Sequence, residues 1–103
     1  MSWNMTYEET VGHWLDSLDK LQFKAIAKEL KLLELCGNEL KLPHSRSLGA
    51  SLFELREMRF GLRIYYTFSK AQQIIVLCGG DKKTQPRDIK KAKELLKEKN
   101  QQR

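Results

Sequence analysis

The chain has 103 residues, of which 41% are hydrophobic and 31% are charged. This length predicts a single domain, residues 1–103, that buries roughly two thirds of the surface exposed by the unfolded chain. The charge is the unusual feature, because 19 lysines and arginines stand against 13 acidic residues and leave a net charge of +6. We therefore expect a polyanionic partner, whose kind the charge alone does not specify.

Several classes of protein are excluded by the sequence pattern. The longest aliphatic run, residues 74–77, is far shorter than the ~20 residues of a membrane-spanning helix. The first residues lack the basic and apolar segments of a secretory signal. Cys36 and Cys78 lack the paired spacing of zinc ligands, and two cysteines do not make a disulfide framework. We expect two free thiols in a cytoplasmic protein with no membrane partner, no metal and no other cofactor.

The first half of the chain is predicted to be helical. A capping-box pattern at residues 6–9 favours the start of a helix there, after a short strand over residues 2–5. A second helix is predicted over residues 20–36, where apolar residues recur every three or four positions. Gly37 is typical of the position that ends such a helix. The two helices are expected to form an αα-hairpin.

The middle of the chain changes to a period of two. A loop is predicted over residues 42–49 from their proline, serines and glycine. A strand with one buried face is predicted around residues 52–56, and a second over residues 62–68. The turn between these strands is expected at residues 59–61.

A third strand and a last helix complete the prediction. Residues 73–78 are apolar on both faces, which is typical of a central strand covered on both sides. Residues 79–81 are expected to end this strand, and Pro86 suits the first turn of the following helix. Residues 97–103 are expected to fray as a basic tail. The predicted fold is α+β, in the order (β)ααβββα, with an antiparallel sheet packed against the αα-hairpin and the C-terminal helix.

The register of the first two long strands brings like charges together. A tight turn sets Leu55 opposite Ile64 on the core face and Arg56 opposite Arg63 on the outer face. Like charges directly opposite each other destabilise a sheet. Two interpretations stay open: two solvated arginines that splay apart, with Glu54 screening one of them, or an anion site in which both guanidiniums bind a phosphate.

Two further cations, Lys82 and Lys83, follow the third strand. If this strand pairs with the second, its end approaches Arg63, and the cations meet at one edge of the sheet. This convergence favours a phosphate-binding cleft over a solvated turn. The chain has no Walker or Gly-x-Gly-x-x-Gly motif and no metal-binding motif, so any phosphodiester chemistry is expected to be metal-free. Metal-free cleavage points to RNA, whose own 2′-hydroxyl can act as the nucleophile.

An ordered set of segments carries a family resemblance. The segments are WLDSL (14–18), SLG (47–49) leading into LFELR (52–56), RIYYTF (63–68), IVLCGGDKKTQ (75–85) and DIKKAKEL (88–95). The set resembles the RelE/ParE superfamily of toxins from type II toxin–antitoxin systems, and more narrowly the HigB-like addiction module killer proteins. The resemblance covers about residues 14–96 and is most specific over residues 77–85, whereas the first strand is shorter than is usual in the family.

The resemblance implies a RelE-like toxin that is neutralised by a cognate antitoxin, which in the HigB-like branch is HigA-like and commonly carries a helix-turn-helix domain. It also implies a metal-independent endoribonuclease, or mRNA interferase, that acts on ribosome-bound mRNA and arrests growth. In that mechanism the 2′-hydroxyl attacks the adjacent phosphate and leaves a 2′,3′-cyclic phosphate and a free 5′-hydroxyl. Two alternatives stay open: a ParE-like gyrase poison without catalysis, and an inactive prophage remnant that binds only antitoxin or RNA.

Site residues are carried over by position. Arg63 matches the strand arginine that holds the scissile phosphate, and Arg56 would be a second phosphate clamp. An arginine does not deprotonate, so Lys82 or Lys83 is the candidate for proton transfer, with His44 as the alternative. The candidates for catalysis are Arg63, Lys82, Lys83 and Arg56. The candidates for substrate binding are Tyr65, which can stack on a base, and His44, Arg46, Arg59 and Gln85.

Overall fold

A five-stranded sheet lies between two helical layers. The computed structural model describes residues 2–70 and 72–101. Within them none of the helices is both long and apolar enough to cross a membrane. The predicted α+β fold is confirmed. Its elements are β1 (Asn4–Tyr7), α1 (Glu9–Asp16), α2 (Lys20–Cys36), β2 (Ser45–Gly49), β3 (Leu52–Glu57), β4 (Leu62–Ser69), β5 (Gln73–Asp81) and α3 (Gln85–Gln101).

The strands follow the order β1-β5-β4-β3-β2 across the sheet. β1 pairs with β5 in parallel, and the remaining neighbours pair antiparallel. The helices of the αα-hairpin, α1 and α2, cover one face of the sheet, and α3 covers the other. The charged residues of β3 and β4 that the sequence places on an outer face therefore lie under α3.

Helix α2 begins and ends where the sequence predicts. The Asp19 side chain accepts a hydrogen bond from the Gln22 N–H at 2.8 Å, and the Gln22 side chain accepts one from the Asp19 N–H at 3.2 Å. This reciprocal capping box satisfies backbone donors of the first turn. At the other end Gly37 has a φ of +53°, which glycine adopts without a steric penalty, and its N–H bonds to the Leu33 carbonyl.

The capping box predicted at residues 6–9 is wrong. Thr6 lies in β1, opposite Ile75 of β5, and α1 begins at Glu9 without a side-chain cap at Glu8. The strand predicted at residues 2–5 is accordingly displaced to residues 4–7. Pairing with β5 satisfies the backbone groups of this segment, and this long-range contact overrides the local capping pattern.

The loop predicted over residues 42–49 is also a partial error, because residues 45–49 form β2. Ser45 lies opposite Leu55 and Arg46 opposite Glu54, so β2 adds a fourth antiparallel strand at the edge of the sheet. The element order is therefore βααββββα. A segment rich in serine and glycine carries little strand signal of its own, and the exposed edge of β3 supplies the pairing.

Strand β5 continues through Gly79 and Gly80, three residues beyond the last residue of its predicted apolar run. These glycines permit close packing of the two helical layers on the strand. A methyl group at Gly79 would overlap the Trp14 side chain, and one at Gly80 would overlap the Asp88 carboxylate. The glycine pair therefore lies within a strand instead of ending it.

Helix α3 starts at Gln85, and Pro86 lies in its first turn as predicted. The predicted fraying of residues 97–103 is not observed up to Gln101, because the helix continues. Lys99 Nζ lies 3.0 Å from Glu8 Oε2 and links this end of the helix to the start of α1. Residues 102 and 103, where the prediction also falls, lie outside the described residues.

Two apolar clusters of unequal size hold the layers together. The larger lies under α1 and α2 and includes Ile26, Leu33, Leu55, Ile64 and Tyr66. The smaller lies under α3 and consists of Leu52, Tyr65, Leu77, Cys78 and Ala92, with half-buried neighbours. Both cysteines are free, as predicted. Burial raises the pKa of the Cys78 thiol to about 12, so this thiol stays protonated near neutral pH.

Candidate functional site

The predicted register of the β3–β4 hairpin is confirmed. Arg56 lies opposite Arg63, and Glu54 lies opposite Tyr65. Antiparallel pairing with β5 then sets Arg63 opposite Gly80. Because side chains alternate along a strand, Glu54 and Arg56 project from the same face of β3, towards α3.

The Glu54 carboxylate, which is fully buried, lies among three arginines. Its Oε1 is 3.4 Å from Arg46 Nη2 and 3.9 Å from Arg56 Nε, and its Oε2 is 4.0 Å from Arg63 Nε. The amide of Gln85, at the start of α3, donates to Oε2 at 2.5 Å. We call these five residues the Glu54 centre. One negative charge among three positive charges leaves an excess of positive charge, which suits an anionic ligand.

The three arginines of the centre differ in exposure. The Arg46 side chain is 47% exposed and that of Arg56 is 26% exposed, whereas that of Arg63 is only 2% exposed. Arg63 Nη1 also donates to the Leu62 carbonyl at 3.1 Å. An anion that arrives from solvent therefore meets Arg46 and Arg56, with Arg63 behind them.

Buried polar atoms of this region are left without hydrogen bonds. Among the described residues, Glu54 Oε1, Arg56 Nε, Arg63 Nε and the Tyr65 hydroxyl are buried and have no hydrogen-bond partner. The contacts between these arginines and Glu54 are ion pairs that are too long or too poorly aligned for hydrogen bonds. A buried polar atom without a partner is costly, so these four atoms call for an explanation, and a catalytic or binding role is one that fits.

Tyr65 borders the Glu54 centre under α3. Its burial, followed by the charge of the Glu54 carboxylate, raises the pKa of its phenol well above the usual value. The hydroxyl therefore keeps its proton. The predicted stacking of Tyr65 on a base does not fit this position, because the side chain is fully buried.

Lys82 and Lys83 form a turn between β5 and α3. The Asp81 carboxylate accepts a hydrogen bond from the Lys83 N–H at 2.8 Å and orders this turn. The aliphatic stem of Lys82 crosses Gly61, and its backbone N–H donates to the Gly61 carbonyl at 3.0 Å. Both lysines are exposed, and they lie at the end of the sheet where β4 begins, next to Arg63.

His44 and Arg59 are not brought into the Glu54 centre. His44 Nδ1 lies 2.9 Å from Glu29 Oε1 of α2, so this ring belongs to the α2 side of the sheet. Arg59 lies in the β3–β4 turn with its guanidinium 4.9 Å from the centroid of the Phe60 ring. Both residues line a groove between α2 and this turn.

Glu54 is the site residue that the sequence pattern did not single out, since there it is expected only to screen one arginine. Glu54 contacts all three arginines because β2 brings Arg46 opposite it. The alternation of Glu54, Leu55 and Arg56 could have indicated this site, because it sets two opposite charges on one face of a strand. The contact with Arg46 could not be predicted, because it depends on β2, which was expected to be a loop. Within the described residues, no three histidine, cysteine, aspartate or glutamate side chains are grouped as a metal would require.

The sequence matches one protein family and a relative of substantial identity. Residues 13–97 match the family described as "Phage derived protein Gp49-like (DUF891)". An uncharacterized protein of Haemophilus influenzae is 40% identical over 91 residues, which cover 86% of this chain and 88% of that protein.

Solved structures of RelE toxins share the fold at low sequence identity. The isolated Escherichia coli RelE toxin has a TM-score of 0.63 at 12% identity, covering 78% of this chain and 84% of that one. The RelBE2 complex of Mycobacterium tuberculosis gives 0.63 at 16% identity, with coverage of 80% and 100%. The RelE–RelB complex of Pyrococcus horikoshii gives 0.60 at 18% identity, with coverage of 79% and 96%. The RelE-like fold that the resemblance implies is therefore confirmed, and the chain belongs to the Gp49-like family of phage-derived proteins.

Proposed function

We propose that this protein is the toxin of a type II toxin–antitoxin system and that it cleaves mRNA without a metal ion. The observation that carries the proposal is the Glu54 centre, an excess of arginine charge on the sheet of a RelE-like fold. Such a centre suits a reaction in which negative charge grows on a phosphate. The HigB-like assignment within the superfamily is part of the same proposal.

In the proposed reaction the RNA supplies its own nucleophile. The 2′-oxygen bonds to the adjacent phosphorus, the bond from phosphorus to the 5′-oxygen breaks, and the 2′-hydroxyl proton passes to a base. The departing 5′-oxygen takes up a proton, so the products are a 2′,3′-cyclic phosphate and a 5′-hydroxyl. Arg56 and Arg46, the accessible arginines, bind the phosphate and stabilise its extra negative charge in the transition state.

Glu54 and Arg63 act behind these two arginines. Glu54 is fully buried, so it is a positioning residue that holds the guanidiniums in place before the substrate arrives. Arg63 adds positive charge at short range from the same interior position. Preorganised charges of this kind need little rearrangement during the reaction.

Proton transfer is assigned to Lys82, with Lys83 as the alternative. Both are exposed at the end of the sheet that carries Arg63, so their ammonium groups can approach a bound phosphodiester. His44 fits this role less well because its ring is paired with Glu29 on the α2 side of the sheet. Gln85 stays a candidate for substrate binding because its amide already contacts Glu54.

The proposed partners are a cognate antitoxin and ribosome-bound mRNA in the cytoplasm. RelE toxins of M. tuberculosis, P. horikoshii and E. coli are found in complexes with antitoxins, which supports an antitoxin partner for a protein of this fold. We extend this to an antitoxin of the HigA-like type with a helix-turn-helix domain. The excess of basic residues suits attraction to ribosomal and messenger RNA.

Expression of the protein in a bacterial host, followed by mapping of transcript 5′ ends, tests the proposal. We expect growth arrest together with new 5′-hydroxyl ends on translated messages. Arg56→Ala should relieve the arrest, and the matched variant Lys93→Ala, at an exposed position of α3, should not. Arrest with DNA breaks and intact transcripts would instead indicate a gyrase poison. A non-toxic wild-type protein that cleaves no RNA on purified translating ribosomes would indicate an inactive remnant.

A further inference from the structure

A second cationic surface borders the Glu54 centre and shares Arg56 with it. It is a groove of about 640 Å³ between α2 and the β3–β4 turn. We call it the basic groove. Its lining residues include one histidine, His44, and four cations: Lys24, Lys28, Arg56 and Arg59.

The two carboxylates of the basic groove are already engaged. The Glu57 carboxylate accepts hydrogen bonds from the Arg59 N–H at 2.7 Å and the Phe60 N–H at 2.9 Å, so it stabilises the turn. The Glu29 carboxylate is paired with His44 at 2.9 Å. These contacts hold both carboxylates on groups other than the lysines of the groove.

The two lysines of the basic groove are available to a ligand. Lys24 and Lys28 are exposed, and in the part of the chain that the structure describes neither ammonium lies within 4.0 Å of a carboxylate. They are one helical turn apart on α2, so they present two positive charges in a row along one face. Two positive charges in line suit a ligand with several spaced negative charges, such as a polyanion, better than they suit a single small anion.

Arg56 makes the basic groove continuous with the Glu54 centre. It lines the groove, and its Nε lies 3.9 Å from Glu54 Oε1. Its backbone N–H donates to the His44 carbonyl at 2.8 Å, which ties the rim of the groove to the strand that carries the centre. A chain of phosphates bound at Arg56 can therefore extend into the groove towards Lys24 and Lys28.

We propose that the basic groove binds the sugar–phosphate backbone of the RNA strand whose phosphodiester is held at the Glu54 centre. The groove takes nucleotides that flank the scissile phosphate. This inference rests on the proposed function and adds a substrate-binding surface to it. Met58 and Leu21, 61% and 56% exposed, offer apolar surface at the groove for contact with bases. Continuity through Arg56 favours RNA over an acidic protein segment as the occupant.

The test compares two double variants that remove the same charge at the same helical spacing. Lys24→Gln/Lys28→Gln changes the groove, and Lys93→Gln/Lys97→Gln changes exposed positions on α3 as a control. The probes are fully 2′-O-methylated RNA oligonucleotides of about 4 and about 12 nucleotides, within the range of single-strand binding sites. These probes lack the nucleophile and are not cleaved, so binding is measured apart from chemistry.

We expect the wild-type protein and the α3 control to bind the longer oligonucleotide more tightly than the shorter one. The groove variant should lose this gain and should bind the short oligonucleotide as the wild type does. For the longer probe, log K of association falls with log salt concentration, and this slope should be less steep by about 1.4 in the groove variant. The figure follows because each phosphate contact to a single strand contributes about 0.7. Equal melting temperatures of the three proteins would confirm that the folds are intact.

The inference is overturned if the groove variant keeps the length-dependent gain and the salt slope, or if the wild type shows no such gain. Loss of binding to polyglutamate with unchanged RNA binding would identify an acidic protein segment as the occupant instead. Length-dependent RNA binding in a protein that cleaves no transcript would leave the groove in place and overturn only the proposed function. Cleavage by the wild type with an unchanged salt slope in the variant would overturn only the groove.

Discussion

The two faces of the β3–β4 hairpin differ sharply in chemistry although both are buried. On the α2 side, Leu55 and Ile64 lie opposite each other in an apolar cluster. On the α3 side, the neighbouring residues Glu54 and Arg63 are equally inaccessible but charged. Burial on the first face removes apolar surface from water, which stabilises the fold. Burial on the second face desolvates charges, which costs free energy that the ion pairs only partly offset.

This contrast indicates a division of labour within one hairpin. The α2 face supplies stability, and the α3 face maintains a costly arrangement of charges to which the proposed function assigns the binding of a phosphate. A carboxylate among three arginines with unsatisfied buried donors is hard to explain as a stabilising device. Substitutions on the two faces are therefore expected to differ in their effects on stability and on cleavage.

The largest loss of stability on the charged face is expected from Glu54→Ala. The substitution leaves Arg63 buried without its carboxylate, and breaking a buried pair in this way costs about 3–5 kcal/mol. Urea unfolding followed by tryptophan fluorescence measures the change. A Glu54→Leu/Arg63→Met double variant should recover much of the loss, because it removes both charges. If the loss of unfolding free energy in the double variant equals the sum of the losses in the two single variants, the two charges are not coupled.

Leu55→Ala and Arg56→Ala compare adjacent residues on opposite faces. Leu55→Ala removes buried methyl groups and should lower the free energy of unfolding by about 2–5 kcal/mol, with an unchanged cleavage rate for the folded fraction. Arg56→Ala should change stability by less than about 1 kcal/mol, because its side chain is partly exposed. Its cleavage rate should fall by about 10²–10³-fold if it stabilises the phosphate. Equal effects of the two variants on both readouts would contradict the division of labour.

Gly80→Ala tests the close packing of α3 on the charged face. The added methyl group meets the Asp88 carboxylate, which is buried and accepts a hydrogen bond from Thr84 Oγ1 at 2.5 Å. We expect a loss of about 1–3 kcal/mol from this overpacking. Gly12→Ala is the control, because no atom lies near the added methyl group in α1, and there the substitution should stabilise by about 0.5–1 kcal/mol. If both substitutions shift the midpoint temperature of thermal unfolding in the same direction, α3 is not closely packed on Gly80.

The smallest effect is expected for the ion pair between Lys99 and Glu8, which ties the end of α3 to the start of α1. Both side chains are about one third exposed, so solvent screens the pair. A double-mutant cycle with Lys99→Met and Glu8→Gln should give a coupling of about 0.2–1 kcal/mol that declines with added salt. A larger coupling that is insensitive to salt would mean that this contact contributes more to holding α3 over the charged face than its exposure indicates.

Local pattern was enough to predict the bounds of α2, the hairpin register and the central position of β5. Each of these depends on residues that are near one another in the chain: a helical period with a terminal glycine, a tight turn, and a short run that is apolar on both faces. The convergence of Lys82 and Lys83 on the end of the sheet near Arg63 followed from the same register.

Contacts between distant residues decided the rest. Pairing with β5 made residues 4–7 a strand where the local sequence favoured a helix start, and pairing with β3 made residues 45–49 a strand where composition favoured a loop. The position of α3 buried Arg63 and Tyr65, and β2 brought Arg46 to Glu54. Periodicity specifies which face of a strand a residue occupies, but the element that covers that face is chosen by packing across the whole chain. The Glu54 centre and the basic groove therefore exist only in the folded protein.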